Sequence, residues 1–151
     1  MANTVEVNVV ITNRQRDRKV DSCRVRAVAE AALAEAGQGA ELGIHFVSAK
    51  RSAEVNWQFL QHEGPTDIIT FDHGSTPERL FGEMFICVPE AVRQAAEFGT
   101  TWEAELLRYV IHGILHLRGY DDLEPAKRRV MKREENRLVR KLVTNQEGRE
   151  A

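Results

Sequence analysis

One segment constrains the fold more than any other. Residues 101–117 read TWEAELLRYVIHGILHL, and Leu106, Leu107, Val110, Ile111, Ile114 and Leu115 recur along it at helical spacing. A stripe that wide must be buried against another layer, so this helix is the expected centre of the fold. Thr100, with Glu103 three residues later, reads as a capping box that opens it. Gly119 reads as its stop.

The rest of the chain supplies the layer it packs on. Residues 5–11 alternate apolar with polar side chains, as a half-buried strand does. Residues 41–48, 67–71 and 80–88 read as three more strands, the third entered from the Gly64-Pro65-Thr66 break. Helices are expected from Asp21 or Ser22 to Ala36 with Gly37 as a stop, over 50–60, over 90–98 behind Pro89, and over 125–143 behind Pro125. Strands and helices mix without strict alternation. The pattern predicts an α+β fold, a four-stranded mixed sheet packed with about five helices. At 151 residues, one domain over 1–143 with a polar tail over 144–151 is expected.

Composition narrows the class. A hydrophobic share of 42% with 29% charged residues is that of a globular chain and not a disordered one. No apolar run nears the roughly 18–20 residues of a membrane span, and residues 1–11 lack a secretory pattern. Cys23 and Cys87 form no CxxC pair. Two reduced core thiols in a cytoplasmic setting are therefore expected.

The long helix also carries chemistry. His112 and His116 stand four residues apart, so both imidazoles lie on one face and can converge on one metal ion. A carboxylate from the turn after Gly119, Asp121 or Asp122, can supply a third ligand. Two histidines and a carboxylate form an established zinc set that leaves a position open for water, whose pKa the ion would lower. The zinc-peptidase motif HExxH places its general base at the position that Gly113 occupies here. A peptidase would need Glu83 or Glu105 instead. Glu105, seven residues before His112 on the same helical face, could orient a ligand from behind, but reads more readily as a surface charge or an ion-pair partner of Arg108.

Charge is distributed unevenly. The net value of −2 would argue against a nucleic-acid binder. Residues 126–141, however, carry eight basic and two acidic side chains, an excess of six. Lys127, Arg128, Arg129, Lys132, Arg133 and Arg137 are thus candidate contacts to an RNA backbone, the alternative being a solvated face with internal pairs to Glu134 and Glu135. Residues 14–26 add a second basic stretch, and acidic residues are spread through the middle.

The run His112-Gly-Ile-Leu-His-Leu-Arg-Gly-Tyr-Asp-Asp122 resembles the HGxLHLxGYDH signature of the YbeY family, bacterial endoribonucleases and rRNA maturation factors. Asn56, the run from Pro65 to Phe71, the Gly82-Glu83-Met84-Phe85-Ile86 strand, and Met131 with Glu135 are similar to further family segments. The resemblance implies a metal-dependent, single-strand-specific endoribonuclease acting in 3′-end maturation of small-subunit (16S) rRNA and in ribosome quality control. It implies one zinc ion, with rRNA and the small ribosomal subunit as partners and ribosomal proteins or an assembly GTPase as further ones. The family register favours Asp122 over Asp121 as third ligand, where the family has His. Carboxylate remains a competent ligand, lowers the Lewis acidity of the ion and favours harder metals such as manganese. His112 and His116 would be catalytic through the ion, and Thr66 and Asp67 would line the cleft. Leu60 stands where the family has an Arg suited to phosphate, with His62 nearby, and Glu83 where it has Asp. Two alternatives follow, a non-catalytic ribosome-assembly factor with a structural metal and, behind it, a zincin-type metallopeptidase.

Overall fold

A computed structural model describes residues 5–144; the tail expected over 144–151 lies outside them except for Thr144. Four strands form one sheet: β1 (Val7–Arg14), β2 (Gly39–Val47), β3 (Ile68–Asp72) and β4 (Arg79–Cys87). Their order is β1-β2-β4-β3. β2 runs parallel to β1 and β4, and β3 runs antiparallel to β4. The sheet is mixed, as the sequence pattern predicts. No helix among the described residues is long and apolar enough to cross a membrane.

Side-chain alternation decides which face is buried. Ala40, Leu42, Ile44 and Phe46 of β2, with Leu80, Met84 and Ile86 of β4, point to one side and are buried. On that side lie α1 (Ser22–Ala36) and α4 (Trp102–Leu117), which also contact each other. The opposite face carries His45, Glu83, Phe85 and Phe71, with Phe71 and Phe85 ring centroids 5.8 Å apart.

α4 sits close to the sheet because two glycines make room. A Cβ on Gly82 would press into the Phe71 carbonyl oxygen and come within 2.8 Å of the Leu117 side chain. A Cβ on Gly113 would meet the end of Met84 at 2.8 Å and Ile68 at 3.1 Å. Position 113 therefore faces the sheet.

Local signals fix the helix ends with some corrections. Asp21 caps α1 by accepting from the Arg24 amide, and Gly37 ends it. α4 is capped by Thr101, whose hydroxyl accepts from the Ala104 amide, and not by the expected Thr100–Glu103 box. The Thr100 hydroxyl instead donates to Glu105. Two expected helices change pitch: α2 (Ala49–Val55) passes into a π-helical turn over Asn56–Leu60, and α5 (Pro125–Val139) into another over Arg140–Thr144. α3 (Val88–Phe98) precedes α4. The cysteine expectation holds for buried Cys87, whereas Cys23 is exposed on α1.

Candidate metal centre

α4 presents His112 and His116 one turn apart, their ring centroids 4.7 Å from each other. The helix then ends in a tight reversal. The Gly119 amide donates to the His116 carbonyl and the Tyr120 amide to that of Leu115. Gly119 has φ 101°, a left-handed value that other residues resist.

The reversal brings an acidic turn back over the histidines. Asp121 is committed to the turn, its Oδ1 accepting from the Leu123 amide. Asp122 faces inward, with Oδ2 3.4 Å from His116 Nε2 and 3.7 Å from His112 Nε2. Arg128 of α5 steadies this turn by donating to the Asp122 carbonyl at 2.9 Å. His112, His116 and Asp122 each offer one ligand atom, all within 4.8 Å of one another and all partly exposed. The donor set fits a divalent ion of the zinc class, two imidazole nitrogens and a carboxylate oxygen.

A residue that the sequence reading took for a surface ion-pair partner and a match to a family segment, but not for part of the site, braces the centre. Glu135 of α5 accepts from His112 Nδ1 at 2.7 Å, from Arg108 at 2.6 Å and from Lys132 at 3.1 Å. Its side chain is only 5% exposed. Burial alone would raise its pKa, yet the bonds from His112 and Arg108 and the charge of Lys132 outweigh burial and hold the carboxyl at about 2. An ionised carboxylate only accepts, so the His112 proton sits on Nδ1 and the Nε2 lone pair is left for a ligand. The available signal was a glutamate among the buried positions Met131, Leu138 and Val139 of a basic helix, where a charge requires partners.

Two cavities open from the centre. One, about 520 Å³, lies between α3, α4 and α5, with Asp67, Arg108, Arg128 and Lys132 among its walls. The other, about 490 Å³, runs past His116 toward Thr70 and Asp72. Asp67 lines both. Thr66 lines neither and stands behind it, its hydroxyl donating to Asp67 Oδ1 while the Ile68 amide donates to the same oxygen.

The remaining expected residues are placed unevenly. Of the basic set, Arg128 and Lys132 reach the cavity. Lys127 pairs loosely with Glu124 at 3.7 Å. Arg137 is held by Glu134 and Glu35, and Lys141 also binds Glu35 at 2.8 Å, so part of the excess charge is neutralised within the fold. Arg129 and Arg133 are exposed with no ion pair among the described residues. Leu60 and His62 are exposed and line neither cavity. Glu105 is neither a surface charge nor a partner of Arg108; it is buried and bound by Thr100. Glu83 lies on the far face of the sheet, between His45 and His73 at 2.9 Å each. These bonds, His73 first, lower its pKa.

The α+β fold thus sets an HxxxH helix against an acidic turn, which makes the chain a candidate metal-centre protein. The family model described as Endoribonuclease YbeY matches residues 10–143, and the chain belongs to that family. It is 36% identical over 132 residues to Endoribonuclease YbeY of Chlorobium luteolum, covering 87% of this chain and 96% of that one. It is 38% identical over 125 residues to the protein of the same name from Methylococcus capsulatus, covering 81% and 82%. The solution structure of TM1509 from Thermotoga maritima superposes with a TM-score of 0.72 at 27% identity, covering 94% of this chain and 93% of that one.

Proposed function

We propose that this protein is a metal-dependent endoribonuclease that cuts single-stranded RNA in 3′-end maturation of small-subunit rRNA and in ribosome quality control. The observation that carries the reading is the convergence of His112, His116 and Asp122, with His112 locked by Glu135, in a chain of an endoribonuclease family. These three residues would hold one divalent ion, zinc by donor type, with manganese the alternative that a carboxylate ligand favours. When bound, the ion supplies Lewis acidity for attack of water on a phosphodiester.

The chain's own residues do the rest. Arg128 and Lys132 draw phosphate to the cavity wall, and exposed Arg129 and Arg133 extend that attraction along α5. Asp67, with Oδ1 already engaged, offers Oδ2 to take up a proton. The peptidase alternative loses the base that its motif places on the helix: position 113 is a glycine facing the sheet, the Glu105 carboxylate is bound by Thr100, and Glu83 lies across the sheet. The assembly-factor alternative draws on Leu60, which offers no charge to a phosphate.

Metal analysis combined with cleavage tests the reading. About one zinc per chain is expected, sharply reduced in His112→Ala and Asp122→Ala. Wild-type protein should cut single-stranded rRNA fragments, and chelation should stop it. Tight RNA binding without chelator-sensitive cleavage would establish the assembly-factor reading instead. Failure to take up added metal would remove the centre.

A further inference from the structure

The 520 Å³ cavity extends beyond His112 and Asp122, the two candidate ligands in its walls, to side chains of three helices. There α3 contributes Gln94 and Phe98, α4 contributes Tyr109, and α5 contributes Asn136. Two amides are oriented by their oxygens. Gln94 Oε1 accepts from the Tyr109 hydroxyl at 2.7 Å, and Asn136 Oδ1 accepts from Arg108 at 2.8 Å. With both oxygens engaged, what each amide has left to offer is its NH₂ group, which has no partner among the described residues. Beside them Phe98 keeps 65% of its surface exposed, a large share for an aromatic side chain on a cavity wall. An exposed ring beside fixed donors suits a flat ligand with carbonyl acceptors on its edge.

We propose that this part of the cavity holds one unstacked base of the RNA strand, covered by the Phe98 ring and read on its carbonyl edge by the Gln94 and Asn136 amides. The inference rests on the nuclease reading and deepens it by assigning sequence preference to the same site. Uracil, cytosine and guanine carry a carbonyl oxygen; adenine carries none. The site therefore favours strands that place a carbonyl-bearing base there and disfavours adenine. Gln94 and Phe98 act on substrate choice and leave the chemistry at His112 and His116 untouched.

The tests separate this inference from the function beneath it. Uridine monophosphate, titrated into chelator-treated wild-type protein, should shift the side-chain NH₂ signals of Gln94 and Asn136 in NMR spectra, and adenosine monophosphate should shift them less. In cleavage of a randomised single-stranded RNA pool, adenine should be depleted at one position near the cut. Phe98→Ala should raise KM about tenfold with kcat little changed, the effect expected when one base is no longer stacked. Gln94→Glu keeps the acceptor for Tyr109 and removes the amide donor, so it should flatten the base preference while the protein still melts as one folded species. Cleavage by wild type with unchanged KM and preference in both folded variants overturns the base site. Nucleotide-dependent shifts in a protein that cuts no RNA support the base site and overturn the nuclease reading alone.

Discussion

Replacing Glu135 with Gln probes the centre at its least exposed point. The substitution keeps shape and volume and removes one charge that His112, Arg108 and Lys132 all bind. Glu135 titrates at about 2 against its ordinary 4.5, so folding favours the charged form by about 3 kcal/mol. A carboxyl whose pKa is lowered by folding adds stability above its unfolded pKa and loses it as pH falls through the folded one. That contribution is fully present at pH 7 and disappears between pH 4.5 and about 2. Glu135→Gln should therefore be less stable by about 3 kcal/mol at pH 7, with a smaller deficit at pH 3. Zinc affinity should drop roughly 10- to 100-fold, as when a carboxylate behind a ligating histidine is removed. Urea unfolding of chelator-treated protein at both pH values measures the first effect, and zinc titration of the folded variant the second. Equal stability at pH 7, or unchanged zinc affinity in a folded variant, would refute the argument.

Two further outcomes are expected. Gly82→Ala drives a methyl into the Phe71 backbone carbonyl, which cannot turn aside, and should cost about 3 kcal/mol, whereas Gly113→Ala meets only the flexible end of Met84 and one Ile68 methyl and regains about 1 kcal/mol of helix propensity. Thermal melting should rank Gly82→Ala well below Gly113→Ala, and the reverse ranking would show that α4 does not rest on the sheet as described. Replacing Arg129 and Arg133 together with Gln should weaken single-stranded RNA binding without lowering the melting temperature. The salt dependence should flatten by about 0.7 for each phosphate that is no longer neutralised; an unchanged slope would remove this face of α5 from the interface.

Much of this was legible in the residues. All four strands were readable, β1 from its alternation and β3 from the break before it, and the stripe from Leu106 to Leu115 marked the helix they support. What escaped depends on tertiary choices. Thr100 and Thr101 are equivalent as caps until the chain's approach is known, and the fold gave the cap to the second and Glu105 to the first. The π-helical turn after Val55 begins at a buried Asn56, whose side chain donates to the Gly64 carbonyl, a bond no periodicity encodes. Within the site, the histidine spacing was plain. Choosing between Asp121 and Asp122 required either the family register or the Leu123 amide that occupies Asp121. Glu135 was hidden by its neighbours, since two adjacent acids in a run of bases read as surface pairs until Met131 and Leu138 prove buried beside the second.

The centre draws His112 and His116 from α4, Asp122 from the connecting turn, and the Glu135 and Arg128 that brace them from α5. An ion held there would join two successive helices and the segment between them. Its binding energy would add to the cost of any excursion that parts α5 from α4, and would leave fraying at the sheet's edge unaffected. Amide exchange in α5 and in the turn should then slow with rising metal concentration by the factor that the dissociation constant sets, while exchange through local fraying of the edge strand β1, which keeps the centre intact, stays constant. Occupancy of the centre and local stability of α5 become two readings of one equilibrium.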